Sequence, residues 1–211
     1  MNQIDIFGNL TPQKSSIHTK EGVTLIKNGE FVFFRNFFTK TESDLLLKRL
    51  RNTIAWKQES MNMYGKKINF PRLTAWYGND DKPYSFSGIT LQPHPWTNDI
   101  LEIKSKIETI AGIEFNSVLL NLYRDGNDSI SWHTDAEKEL GNNPVIASAN
   151  FGATRKFQLR HIKTKEKFEL ELSHGCLLIM KGELQHYWQH QIPKTSKSVG
   201  VRINLTFRLI R

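Results

Sequence analysis

Arg202-Ile203-Asn204-Leu205-Thr206-Phe207-Arg208 alternates strictly between polar and apolar side chains. In an extended strand, residues two apart share a face. Arg202, Asn204, Thr206 and Arg208 therefore face one way, and Ile203, Leu205 and Phe207 the other. Buried arginines without anions are costly, so two on one strand face either line water or meet carboxylates. A guanidinium binds a carboxylate in a forked, bidentate way.

Upstream stands Trp132-His133-Thr134-Asp135, and between the two stretches His190. The same two-residue period places His133 and Asp135 side by side. His190 can supply a third ligand from a distant strand. Two His and one carboxylate on one face of a metal leave other positions open, as in non-haem Fe(II) oxygenases. His-x-Asp by itself is a weak signal and gains weight only from its partners. Zinc hydrolysis, with an activated water in the open site, is the competing use of such a triad. The paired arginines fit a dicarboxylate better than a hydrolytic site, so the pattern points to a 2-oxoglutarate-dependent oxygenase. His186, four residues before His190, is an alternative third ligand. His18, His94, His161 and His174 have no comparable context.

The chain has 211 residues, 38% of them apolar, with 13 Phe and 5 Trp. That length fits one domain or a core with an N-terminal extension, and that composition can fill a sizeable core. No apolar run approaches a membrane span, and the N-terminus lacks a signal-peptide pattern. With one cysteine, Cys176 in an apolar run, an internal disulfide is excluded. A reducing compartment, cytoplasmic or nuclear, is expected. The net charge of +8 favours polyanionic partners such as nucleic acid. Lys66-Lys67, Arg155-Lys156 and the run from Arg160 to Lys167 make a basic surface, or equally solvated loop faces.

Residues 1–20 read as a polar arm and 21–211 as a single domain. Asn28-Gly29 signals a hairpin in an extended stretch from Gly22 to Phe38. Thr39 to Glu42 matches a capping box, and Leu46, Leu50 and Ile54 continue it as a helix of about three turns. Trp56 to Asn79 reads as strands joined by a turn at Tyr64-Gly65-Lys66-Lys67. Trp96, Ile100, Ile103, Ile107 and Ile110 form a helical stripe, capped near Thr97 or Asn98 and ended at Gly112. Strands then dominate: Ser117–Tyr123, Ser129–Asp135, Val145–Phe151, Lys156–Ile162, Phe168–Leu172, Cys176–Met180 and Val199–Ile210. Such spacing predicts an all-β sandwich or barrel with outer helices.

The chain resembles the AlkB family of Fe(II)- and 2-oxoglutarate-dependent nucleic-acid dealkylases, above all its branch that repairs double-stranded DNA. The likeness covers about residues 56–210. It is carried by Pro71-Arg72 with Tyr77-Gly78, Tyr84 to Gly88, Asn121 to Gly126, His133-Thr134-Asp135 with Glu137, Ile146 to Ser148 with Phe151 to Ala153, Arg155, and His190 through Arg208. The resemblance implies a mainly β (α+β) fold: a double-stranded β-helix, or jelly roll, with outer helices and a nucleotide-recognition lid at about 56–90. It implies catalytic iron held by His133, Asp135 and His190, with His186 near but not on the metal. It implies 2-oxoglutarate held by Asn121, Tyr123, Arg202, Asn204, Thr206 and Arg208.

The implied reaction uses O2 and 2-oxoglutarate to hydroxylate the N-alkyl carbon of 1-methyladenine or 3-methylcytosine. Formaldehyde, succinate, CO2 and the restored base are released. The implied partner is alkylated DNA, duplex as well as single-stranded, acted on by a monomer with no membrane. A base must leave the stack to react. Tyr84 and Phe86 match lid residues, with Phe86 stacking on the cationic base opposite His133. Glu137 accepts from an exocyclic amine. Tyr64 matches the aromatic that wedges into the gap left by a flipped base, and Lys66 and Lys67 then meet phosphate. An ordinary turn with an exposed Tyr is the plain alternative. Ala136 departs from the branch, which often has two acidic residues after the iron Asp. The rival substrates for the same chemistry are RNA and protein side chains.

Overall fold

The computed structural model describes residues 21–63, 66–79, 84–86 and 89–211, and of these the backbone alone at 62–63, 84–86 and 89–91. In chain order the elements are β1 (Gly22–Ile26), β2 (Gly29–Phe34), α1 (Lys40–Thr53), β3 (Ser60–Met63), β4 (Lys66–Asn69), β5 (Leu73–Gly78), β6 (Tyr84–Phe86), β7 (Ile89–Leu91) and α2 (Asn98–Ala111). There follow β8 (Ser117–Tyr123), β9 (Ile130–His133), a 3-10 turn (Lys138–Leu140), β10 (Ile146–Gly152), β11 (Arg155–His161), β12 (Lys167–Leu172), β13 (Cys176–Lys181), α3 (Leu184–Tyr187), β14 (Trp188–Ile192) and β15 (Arg202–Arg208).

Local chemistry explains the leading elements. The register Ile26↔Gly29 leaves Lys27-Asn28 as the hairpin turn, one residue earlier than expected, with Asn28 at φ 55°. Asn tolerates that left-handed conformation better than most side chains. The capping box at α1 is formed in full. The Glu42 N–H donates to Thr39 Oγ1 at 3.3 Å, and the Thr39 N–H donates to the Glu42 carboxylate at 2.9 Å. At α2 the Ile100 N–H donates to Thr97 Oγ1, and Gly112 ends the helix at φ 70°. Ile100, Ile103 and Ile107 are fully buried, but Ile110 is 45% exposed. Ala111, four residues past Ile107, continues the stripe instead, and Ile110 lies at its edge.

A seven-stranded sheet in the order β1-β2-β13-β10-β15-β8-β5 faces a four-stranded sheet, β12-β11-β14-β9. Side chains of the larger sheet alternate between two apolar clusters. Val118, Leu120, Ala147, Ala149, Ile203, Leu205 and Phe207 join Leu46, Leu50, Ile100, Ile103 and Ile107 of the helices. On the other face Phe31, Phe33, Trp76, Leu178 and Met180 meet Phe157, Leu159 and Trp188 of the smaller sheet. Both faces of the larger sheet are therefore covered, and its central strands read as nearly continuous burial. This is the double-stranded β-helix.

Several boundaries depart from expectation. Lys66 and Lys67 do not lie in a turn; they sit in β4, paired with Met63 and Asn62. β9 ends at His133, so Asp135 lies beyond it. α3 was not anticipated. The lone Cys176 is buried in the inner cluster, and burial pushes its thiol up to about 11.

The two helix positions give opposite expectations. Ile103→Ala should lower the unfolding free energy by about 2–5 kcal/mol, the usual cost of an emptied core site. Ile110→Ala should stay within about 0.5 kcal/mol. Urea denaturation of both variants measures this; equal losses would contradict the assignment of faces.

Candidate active site

The polar face of β15 looks into the space between the sheets. Arg202, Asn204, Thr206 and Arg208 are all buried. The register sets Arg202 beside Tyr123 and Asn204 beside Asn121 on β8. On the other side Asn204 lies beside Asn150 and Thr206 beside Ser148 on β10. Three adjacent strands thus contribute one polar wall. Thr206 Oγ1 donates to Asn204 Oδ1 at 3.0 Å, and Asn204 Nδ2 donates to Ser148 Oγ at 2.8 Å. Arg202 donates from Nη2 to Asn150 Oδ1, and its Cζ stands 4.8 Å from the Tyr123 ring centre. Arg202 Nε and Nη1 carry no hydrogen bond.

The second half of the site comes from the smaller sheet. His133 and His190 face each other across the β9–β14 pairing, with ring centres 4.2 Å apart. Candidate ligand atoms of His133, Asp135 and His190 all lie within 4.8 Å of one another. Among the described residues this is the group that could hold a metal ion. His186 is exposed on α3 and lies outside this group, whereas His190 lies within it.

The protonation states suit ligation. His133 Nδ1 donates to the Ser131 carbonyl at 2.8 Å, which leaves Nε2 as the ring nitrogen that can ligate. That Nε2 lies 3.8 Å from Asp135 Oδ1. Burial and then the neighbouring His133 push His190 down to about 3, against the opposing pull of Asp135. Burial raises the Asp135 carboxyl, but Arg208 first and both histidines after it outweigh that, leaving it well below the usual range. Arg208 Nη2 donates to Asp135 Oδ2 at 2.8 Å.

Both halves line one cavity of about 460 Å³. Asn121, Tyr123 and Glu137 line it too, so the structure brings these expected residues together. Met61 and Ile68 reach it from the β3–β4 hairpin. Lys66 and Lys67 are exposed on β4, away from the lining. Tyr64 falls outside the described residues. Tyr84 and Phe86 have described backbone in β6, and their side chains lie outside the description.

Some participants were not picked out from sequence. Arg72 is buried, lines the cavity, and donates from Nε to Asn121 Oδ1 at 2.8 Å. Ser148 and Asn150 complete the polar wall. Pro71-Arg72 and Ile146 to Ser148 stand among the stretches that carry the family resemblance, and a basic residue in a strand-rich segment is the signal available for Arg72. Gln185, whose Oε1 accepts from the Asp135 N–H at 2.9 Å, carried no signal.

Residues 30–208 match the 2OG-Fe(II) oxygenase superfamily. The alpha-ketoglutarate-dependent dioxygenase alkB homolog 3 of Rattus norvegicus is 42% identical over 187 residues, 84% of this chain and 63% of that protein. The DNA oxidative demethylase ALKBH2 of Mus musculus is 36% identical over 184 residues, 82% of this chain and 77% of that protein. The solved structure of OsALKBH1 superposes with a TM-score of 0.58 at 16% identity, over 88% of this chain and all of that one, a likeness of fold. The chain belongs to the 2OG-Fe(II) oxygenase superfamily and, within it, to the AlkB family. It spans a little under two thirds of the length of the rat homolog.

The cofactors of that family are Fe(II) and 2-oxoglutarate, and the residues fit both. The donor set is two imidazoles and a carboxylate held in ligating form. Two buried guanidiniums border the same cavity, one of them with N–H groups lacking a partner. An anion answers such a group.

The depressed His190 gives a pH signature. Between pH 6.5, its ordinary value, and about 3, the unfolded chain holds a proton that the folded chain does not. Unfolding free energy of the metal-free protein should therefore fall as pH drops through that window, by about 1.4 kcal/mol per pH unit from this group. Denaturation of the His190→Leu variant across the same range should show a slope flatter by about that amount; an unaltered slope contradicts the buried neutral imidazole.

Proposed function

We propose that this chain is an Fe(II)- and 2-oxoglutarate-dependent dioxygenase that removes alkyl groups from ring nitrogens of nucleic-acid bases, with 1-methyladenine and 3-methylcytosine in DNA as substrates. The observation that carries this reading is the His133, Asp135 and His190 cluster on the wall of the cavity that also holds Arg202 and Arg208. His133, Asp135 and His190 would hold the iron. Asn121, Tyr123, Arg202, Asn204, Thr206 and Arg208 would hold 2-oxoglutarate. Bound together with O2, these cofactors supply oxidation of an N-alkyl C–H bond, with formaldehyde, succinate and CO2 as products.

The chain's own residues aim that chemistry. Arg208, paired to Asp135, marks the metal end of the co-substrate site, and Arg202 on Tyr123 marks the far end. Buried apolar walls from Leu119 and Phe157 exclude water beside the cluster. Glu137, at the cavity, would accept from the exocyclic amine of the base. A base in a duplex must be flipped out to arrive there.

Residues 56–90 form the lid in this reading. Tyr84 and Phe86 contact the base, Tyr64 fills the gap in the stack, and Lys66 and Lys67 meet phosphate. The exposure of both lysines on β4 and the net charge of +8 support a polyanionic partner. The relatives named DNA oxidative demethylases support DNA. The protein acts as a monomer in a reducing compartment.

Three measurements test the proposal. Loss of the methyl group from a 1-methyladenine oligonucleotide, followed by mass, should require both Fe(II) and 2-oxoglutarate and should vanish in His133→Ala. Succinate formation with no DNA demethylation would move the substrate to RNA or protein. Arg202→Ala should raise the KM for 2-oxoglutarate about 10- to 100-fold, the usual worth of a charged hydrogen bond; an unchanged KM removes Arg202 from the anion site. Tyr64→Ala should slow duplex repair more than single-strand repair, because only the duplex has a gap to fill. Equal losses return Tyr64 to an ordinary turn.

A further inference from the structure

We infer that Gln185 is a positioning residue for the metal centre and acts by holding the main chain of Asp135. The inference rests on His133, Asp135 and His190 being the metal ligands. His133 and His190 are placed by sheet pairing, directly opposite each other in register. Asp135 has no such support. β9 ends two residues before it, and the β9–β14 ladder is already irregular, with a register shift between its two pairs. The Asp135 N–H instead donates to Gln185 Oε1 at 2.9 Å, in a buried setting. Gln185 is 1% exposed.

The orientation of that amide is set from its other end. Gln185 Nε2 lies 3.5 Å from Met180 Sδ on β13 and donates to it. The oxygen is therefore the atom turned to Asp135. Gln185 sits in α3, and His190 follows five residues later on β14. One amide thus ties the segment after β9 to the segment before β14. With Arg208 on its carboxylate, Asp135 is pinned at both main chain and side chain.

A buried N–H left without an acceptor costs free energy comparable to a lost hydrogen bond. The segment would relax to satisfy it, and the carboxylate would leave its place beside the imidazoles. Groups that orient metal ligands in this manner usually affect metal affinity 10- to 100-fold. A packing role alone makes a different prediction. Leu is similar in size to Gln and removes the acceptor without leaving a cavity.

The test is Co(II) titration of the metal-free protein, read by visible absorption, with thermal unfolding of each variant alongside. Gln185→Leu should bind Co(II) about 10- to 100-fold more weakly. Gln185→Glu, held protonated by burial, keeps an acceptor for the Asp135 N–H and should retain the affinity of the unaltered protein. Undiminished affinity in Gln185→Leu overturns the inference. So does weakened affinity in Gln185→Glu, which decides the matter if the Leu variant does not fold. Unaltered protein that takes up no Co(II) removes the metal centre itself, and the role of Gln185 with it. That result is distinct from failure of the Gln185 variants alone. None of these readouts depends on a nucleic-acid substrate.

Discussion

The burial of two guanidiniums on one strand governs this molecule. Arg202 and Arg208 stand on β15 between two apolar sheets, where an unanswered charge is costly. The surroundings are arranged around that cost. Asn150 accepts from Arg202, Asp135 accepts from Arg208, and Asn204 and Thr206 are bonded along the strand between them. β15 can occupy this position because its other face is wholly apolar. Ile203, Leu205 and Phe207 pack toward the helices and anchor the strand between β10 and β8. The polar wall is therefore built into interior strands of the sheet.

The same arrangement divides the labour of the site. Arg208 uses part of its hydrogen-bonding capacity on Asp135 and so keeps the carboxylate anionic in spite of its burial. His190 is kept neutral by burial and by its neighbouring imidazole. Near neutral pH both groups already have the protonation that ligation needs. Arg202 differs, since two of its nitrogens carry no hydrogen bond while it lies against Tyr123. A dicarboxylate with one end near Asp135 and the other near Arg202 would answer both cations of the wall.

Much of this was legible in sequence because it depends on local periodicity. The capping box at Thr39, the stripe of α2 and the alternation of β15 each follow from a few neighbouring residues. His133, Asp135 and His190 were legible as a set because a chemistry requires them together. What escaped has a different origin. Ile110 fits the helical spacing, yet Ala111, four residues past Ile107, takes the buried place. Asp135 seemed to be a strand residue because β9 gives no sign of where its ladder stops. Arg72 and Gln185 act through residues 49 and 50 positions away in the chain. No local pattern announces such a partner. Tyr64, Tyr84 and Phe86 rest on resemblance alone.

The central claim is that one cavity holds a metal on His133, Asp135 and His190 and a dicarboxylate between Arg202 and Arg208. A crystal structure grown without air, with Mn(II) in place of iron and with 2-oxoglutarate, tests it most directly. The account predicts the metal on those three side chains, one carboxylate of the co-substrate at Arg208 and the other at Arg202. Metal bound elsewhere, at His186 for example, or 2-oxoglutarate bound away from β15, would contradict it.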